Sequence, residues 1–233
     1  MVSAIDDSFD ARLDQLNERI ARACQNCGRD RRSVHLIGVS KTKPAADVVT
    51  AHEAGLQDFG ENYLQEAIDK VESLAHLDLT WHYIGNIQSN KTKDIANNFD
   101  WVHTVDRVKV GKRLSDQRSK KRPLQILIQV NIDNDPNKGG CQGQDLPELM
   151  EALICLPNLE LRGLMTIISQ DSDPRASYES VAQLHLDACE RLPAAAQQRW
   201  NTLSMGMSGD MEHAIAAGAT HIRIGTALFG ERT

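Results

Sequence analysis

Val34-His35-Leu36-Ile37-Gly38-Val39-Ser40-Lys41-Thr42-Lys43-Pro44 is the stretch from which the rest of the chain can be read. The near-continuous apolar run over residues 34–39 has the pattern of a parallel strand covered on both faces. Pro44 follows at once, and its fixed φ suits the first position of a helix. Lys41 lies between them, at the carboxyl end of the strand. A lysine so placed is partly withdrawn from water and is a candidate amine nucleophile for an aldehyde.

The same strand-then-helix signal repeats along the chain. Strands are predicted over residues 34–40, 57–60, 81–84, 101–104, 124–131, 159–165, 200–204 and 221–224. Helices are predicted over 44–54, 62–74, 90–97, 107–118, 146–155, 178–191 and 211–217, with Gly55 and Gly218 as stops. Residues 9–27 carry Leu13, Leu16, Ile20 and Ala23 at helical spacing and add one amphipathic helix in front. Regular alternation requires a parallel sheet. Eight units in 233 residues predict a single α/β domain over 1–233, a (β/α)8 TIM barrel with an extra N-terminal helix. An open doubly wound sheet is the alternative.

Composition bounds the partners. A net charge of −6 argues against a general nucleic-acid binder. No apolar run reaches membrane-spanning length, and residues 1–7 lack a signal-peptide core, so a cytoplasmic protein is expected. Of the five cysteines only Cys24 and Cys27 form a close pair. A zinc site would need a second pair, and a thioredoxin-like pair would open a helix after a strand, whereas this one closes a helix. Free thiols and no metal are expected. His82 reads as part of the barrel wall. His52, His76, His103, His185, His213 and His221 show no metal-ligand spacing.

Barrels of this kind place function at the carboxyl ends of their strands. Those ends bring Lys41, Glu61-Asn62-Tyr63, Asn131, Thr166, Ser208-Gly209, Arg223 and Gly225-Thr226 together. The loops after strands seven and eight commonly hold a phosphate. Ser208-Gly209 and Gly225-Thr226 supply hydroxyls and closely approachable backbone there. Each dipeptide alone is equally an ordinary turn. Arg223 interrupts an apolar strand and needs an acceptor, which a salt bridge or a heterocycle nitrogen would provide. An amine, a phosphate cradle and an arginine near a ring point to pyridoxal 5′-phosphate (PLP). Arginine cannot accept a proton, so it would leave the ring a poor electron sink.

Several motifs in order resemble the pyridoxal phosphate homeostasis protein family, also called the proline synthetase co-transcribed proteins, over residues 34–231. They are Val39-Ser40-Lys41-Thr42-Lys43-Pro44, Phe59-Gly60-Glu61-Asn62-Tyr63, Trp81-His82-Tyr83-Ile84-Gly85, Leu161-Arg162-Gly163-Leu164-Met165, Leu203-Ser204-Met205-Gly206-Met207-Ser208 and Arg223-Ile224-Gly225-Thr226. Asn86 and Ile168 stand where the family often has proline, and Gly209 where a larger polar residue is usual. The resemblance implies a barrel like the N-terminal domain of alanine racemase. It implies Lys41 as the Schiff-base lysine, with Asn62 nearby. Ser208, Gly225 and Thr226 would hold the phosphate and Arg223 would face the pyridine nitrogen.

The function so implied is buffering or delivery of PLP, affecting amino-acid and vitamin B6 metabolism, with no catalytic residue. Expected partners are PLP and PLP-dependent apo-enzymes, with no nucleic acid and no membrane, for a monomer or weak dimer. The alternative is a small PLP-dependent racemase or lyase. Alanine racemase takes its second base, a tyrosine, from a second domain. Tyr63, Tyr83 and Tyr178 are the only tyrosines here, and Tyr63 reads as packed on the first turn of its helix. Lys43 and Lys138 rival Lys41, but both read as solvated loop lysines.

Overall fold

The computed structural model describes residues 8–230. The acidic start at residues 1–7 and Glu231 lie outside the described residues. The chain runs α1 (Phe9–Asn26), β1 (His35–Val39), α2 (Ala45–Glu53), β2 (Asp58–Glu61), α3 (Leu64–Ser73), β3 (Thr80–Tyr83), α4 (Thr92–Asn98), β4 (Trp101–Val105) and α5 (Val108–Gln117). It continues through β5 (Leu124–Gln129), α6 (Leu146–Ile154), β6 (Leu159–Met165), α7 (Pro174–Glu190), α8 (Ala194–Gln197), β7 (Thr202–Ser204), α9 (Met211–Ala216), β8 (His221–Ile224) and α10 (Thr226–Phe229).

The strands form a closed parallel barrel in sequence order, as the alternation predicts. β8 returns to β1, with Ile37 opposite Arg223 and Gly38 opposite Ile224. One face of each strand joins the outer core beneath the helices, as Leu36, Ile126 and Ile222 do. The other face turns into the barrel. Because all strands run one way, their starts gather at one end and their carboxyl ends at the other.

Ser8 caps α1 by accepting from the Ala11 N–H at 3.3 Å. Leu13, Leu16, Ile20 and Ala23 are buried at the predicted spacing. The helix packs against α9 and α10. Arg12 Nε donates to the Leu228 carbonyl at 2.9 Å, and the rings of Phe9 and Phe229 lie 5.6 Å apart. Since α10 is a single turn, α1 provides outer cover beside it.

Some boundaries differ from the sequence reading. α7 starts at Pro174, where Asp173 caps the Arg175 N–H at 3.0 Å. Trp200 is not in β7. It is buried, donates Nε1 to the His185 carbonyl at 3.0 Å and stacks on the His185 ring. β5 ends at Gln129, because Val130 and Asn131 pair with Cys141 as the following loop folds back. The short helices α8 and α10 were not expected. No helix among the described residues is long and apolar enough to cross a membrane.

Candidate functional site

The turn carrying Lys41 is built by a buried ionic knot. Ser40, just past β1, is fully buried and donates its Oγ to Glu61 Oε1 at 2.7 Å. Lys70 Nζ, reaching back from α3, donates to the Ser40 carbonyl and to Glu61 Oε1, each at 2.7 Å. It also meets Glu66 Oε1 at 2.6 Å, and that oxygen accepts the Thr42 N–H at 2.7 Å. Both residues flanking Lys41 are therefore held. Thr42 has φ 65°, a left-handed conformation that is a true outlier for a β-branched residue. Glu66 fixes the strained peptide.

Glu61 is fully buried, like Ser40. Burial pushes its carboxyl above the ordinary range, while Lys70 and Ser40 favour the charged form. Its Oε2 has no hydrogen-bond partner among the described residues.

In the sequence Glu61 stands out only within a motif, and Lys70 and Glu66 do not stand out at all. Two signals were available. Glu66 and Lys70 have the favourable i, i+4 order on a helix. Lys70 also lies three residues after Ala67, on the buried face of α3.

Asn62 follows β2 directly, and its Oδ1 is buried with no hydrogen-bond partner among the described residues. It borders a cavity of about 690 Å³ together with Tyr63, Tyr83, Gln129 and Lys138. Lys41, Ser208, Arg223, Gly225 and Thr226 do not line that cavity. They belong to the opposite side of the mouth, around β1, β7 and β8.

On that side Gly206 makes the sharp turn. Its φ is 97°, and a Cβ there would lie 2.6 Å from the Ala214 Cβ. Asp210 Oδ1 accepts the Met207 N–H at 2.6 Å. Arg19 of α1 donates to the Ser208 carbonyl at 3.2 Å and to Glu212 Oε1 at 2.8 Å, tying the loop to the N-terminal helix. Gly209 has nothing within 4 Å of a would-be Cβ, so no close contact requires glycine there. A Cβ on Gly225 would sit 3.4 Å from the Val39 carbonyl oxygen, which places the β8 turn against the end of β1.

Arg223 is buried below these loops. Its Nη1 donates to Ser204 Oγ at 2.8 Å and its Nη2 to the Thr166 carbonyl at 2.9 Å. Both acceptors are neutral. Burial pulls the guanidinium pKa down, against Tyr178 and Asp210, which favour the charged form.

The rival lysines are placed differently. Lys43 borders an outer groove with Ala45, Asp69 and Ser73. Lys138 is only 23% exposed, lines the large cavity and is hydrogen-bonded to the carbonyls of Ile167 and Ile168. It is thus held within the mouth rather than solvated. Tyr63, the residue before α3, is 51% exposed at the same cavity. Tyr83 donates its hydroxyl to the Asn86 carbonyl at 3.1 Å, and burial raises its pKa. Tyr178 is buried beside Asp210, and burial raises its pKa too.

The cysteines are free thiols, and burial raises the Cys24 pKa. Among the described residues no cluster of three or more His, Cys, Asp or Glu side chains could hold a metal ion. Three of the histidines, uninformative in sequence, are buried together in the barrel: His82, His103 and His221. His82 and His103 are hydrogen-bonded at 2.9 Å, and His221 stacks on His35 with ring centroids 4.8 Å apart. What sequence could show was their placement within strands. Their convergence depends on barrel closure.

The residues present fit PLP on two counts. A buried guanidinium set against neutral acceptors suits a ring nitrogen with a lone pair. The Asn62 amide, whose Oδ1 has no partner among the described residues, is a polar group at the cavity still open to a ligand.

The alanine racemase N-terminal domain model matches residues 11–233. The pyridoxal phosphate homeostasis protein of Pseudomonas aeruginosa is 53% identical over 215 residues, covering 92% of this chain and 91% of that one. The protein of the same name from Vibrio cholerae is 47% identical over 233 residues, covering 97% of each. PipY of Synechococcus elongatus, solved with PLP bound, matches with a TM-score of 0.83 at 36% identity, over 96% of this chain and all of that one. Alanine racemase of Clostridium difficile, at 12% identity and a TM-score of 0.73, covers 99% of this chain but 60% of its own and shares the fold.

Proposed function

This chain belongs to the pyridoxal phosphate homeostasis protein family, and from that premise we propose that it binds PLP reversibly at the β1, β2, β7 and β8 ends of its barrel. The role we propose is buffering or delivery of the cofactor to PLP-dependent apo-enzymes in the cytoplasm, without turnover of its own. The observation that carries this reading is the placement of Lys41 just past β1 and of Arg223 in the adjacent strand β8. Lys41 stands on a strained turn clamped on both sides, and Arg223 lies buried on the next strand round.

When bound, PLP brings an aldehyde that attaches to amines and a ring that withdraws electrons. Lys41 supplies the attaching amine. Ser208, Gly225 and Thr226 hold the phosphate with hydroxyls and backbone N–H groups. Asn62 contributes its amide on the cavity side. Arg223 meets the ring nitrogen as a donor only, so it cannot deliver the full positive charge that carbanion chemistry uses.

The tyrosines support a carrier. Tyr83 and Tyr178 are buried and engaged, and their raised pKa values suit them poorly as bases. Tyr63 is exposed at the open mouth, where water has access. Free thiols fit a reducing compartment.

The test is reconstitution of the purified chain with PLP. A visible absorption band should be lost on borohydride reduction, with the label mapped to Lys41. A panel of L- and D-amino acids should show no turnover. A label on Lys43 or Lys138 alone would move the site. Turnover abolished by Lys41→Ala would instead establish a small racemase or lyase.

A further inference from the structure

Behind Arg223 a continuous line of side-chain hydrogen bonds crosses the barrel interior. Arg223 Nη1 donates to Ser204 Oγ at 2.8 Å. Ser204 Oγ lies 2.8 Å from His103 Nδ1. His103 Nε2 lies 2.9 Å from His82 Nδ1, and His82 Nε2 lies 2.9 Å from Asp58 Oδ1. These residues come from β8, β7, β4, β3 and β2. β4 and β7 are not neighbours in the sheet, so the contact between His103 and Ser204 passes through the barrel. Ser204, His103 and His82 are fully buried. Asp58 opens β2 at the opposite end of the barrel and is 30% exposed.

Hydrogen-bond chemistry sets the direction of this line. Arginine only donates, so Ser204 Oγ accepts from it and can direct its own hydrogen to His103 Nδ1. His103 then carries its proton on Nε2 and donates to His82 Nδ1. His82 in turn carries its proton on Nε2 and donates to the Asp58 carboxylate, which only accepts. Every bond is satisfied with both rings neutral, and every donor points from the mouth to the floor. Running the line the other way with a neutral His82 would set its Nε2 lone pair against the Asp58 carboxylate. It would also leave the Ser204 hydrogen without an acceptor in this line. Burial holds His103 well below the ordinary histidine range, with His82, His221 and Arg223 acting in the same sense, which agrees with a neutral ring.

We propose that Asp58 is a positioning residue for Arg223: by fixing the tautomers of His82 and His103 it turns the Ser204 hydroxyl and holds the guanidinium at the mouth. The cation at one end and the carboxylate at the other are joined by aligned dipoles, which polarise one another in a low dielectric. The consequence for a cofactor ring rests on the reading that Arg223 faces it. The proton order and its effect on Arg223 do not.

The first measurement therefore uses the full chain without cofactor. Nitrogen-15 imidazole spectra should show His82 and His103 neutral with the proton on Nε2, and Arg223 should show resolved, slowly exchanging Nη–H signals. Asp58→Asn removes the anion and should move the His103 and Arg223 signals, although neither residue touches Asp58. Asp187→Asn, the same charge change on the exposed face of α7, should move neither. A wild-type His103 with its proton on Nδ1 would overturn the proposal. So would His103 and Arg223 signals indifferent to Asp58→Asn.

If that variant does not fold, the tautomers of the unaltered chain still decide, and Asp58→Glu should keep them. The second measurement is PLP retention, which Asp58→Asn should weaken about five- to tenfold, at the lower end of couplings between separate sites. A wild-type chain that binds no PLP would sink the cofactor reading while leaving the tautomers as the test of this one.

Discussion

Lys70→Met keeps the length of the side chain and removes the ammonium at the centre of the β1–β2 knot. Lys70 is 5% exposed and Glu61 fully buried. After the change Glu61 retains only the Ser40 hydroxyl at 2.7 Å, and its second oxygen already has no partner. Breaking a buried pair by removing one member costs about 3–5 kcal/mol. Protonation of Glu61 sets a ceiling, because neutralising a carboxyl of ordinary pKa costs about 3.7 kcal/mol at pH 7 and about 1 kcal/mol at pH 5.

Burial already raises the Glu61 pKa, and Lys70 opposes that shift, so the variant raises it further. The folded state then holds the proton more tightly than the unfolded state. Its stability is greatest below the ordinary carboxylate range and declines as pH climbs through that range to the raised value. Urea unfolding should thus show a loss of about 3 kcal/mol at pH 7, near that ceiling, that shrinks to about 1 kcal/mol at pH 5. Adding Glu61→Gln should recover most of the loss at pH 7. A loss independent of pH would refute the reasoning. So would one below about 1 kcal/mol at pH 7, the range of an exposed ion pair.

Lys41→Ala should abolish borohydride-trapped PLP while leaving the urea midpoint near wild type, read by mass spectrometry and far-UV circular dichroism. Gly206→Ala adds a Cβ 2.6 Å from Ala214 at φ 97°. It should cost about 2–4 kcal/mol in urea unfolding from strain and overpacking together, and should also weaken PLP retention. Ile20→Ala, at a fully buried position of α1, should cost about 2–5 kcal/mol. A negligible loss there would show that α1 is not part of the cooperative unit.

The sequence disclosed the barrel because its strands are buried on both faces. Leu124–Gln129 and Leu159–Met165 read as strands without help from their neighbours. Trp200 misled, since an apolar ring beside a strand packs as well on a helix, and its indole N–H found the His185 carbonyl. The start of α7 was legible in Asp173-Pro174, a cap followed by a proline, but the polar run around it reads as loop. At the mouth, the chemistry of Lys41, Arg223 and the two dipeptides could be proposed from strand ends alone. The partners of those residues could not. Lys70 lies 29 positions after Lys41, and His103 and Ser204 are 101 apart, so only the closed barrel brings them together.

The two buried polar systems bear on why the mouth is shaped as it is. One fixes the turn after β1, the other the guanidinium of β8, and β1 and β8 are adjacent. Neither is a natural source of stability. Desolvating charges in a barrel interior costs several kcal/mol per ion, and apolar side chains of equal volume often pack as well or better. The usual filling of such a barrel is layered valine, isoleucine and leucine. Here Ile37 and Leu127 follow that rule, whereas His82, His103 and Ser204 depart from it. What the polar systems add is orientation. An ammonium sharing three oxygens has one geometry, and a donor line anchored by an arginine and a carboxylate has one direction. A carrier must hold its cargo in one pose and still release it, so its affinity cannot come from enclosure. On the proposed carrier function, with the mouth open at Tyr63, pre-set positions for Lys41 and Arg223 would lower the ordering cost of binding without closing over the ligand. On this reasoning the barrel gives up stability in its interior for two fixed points at its rim.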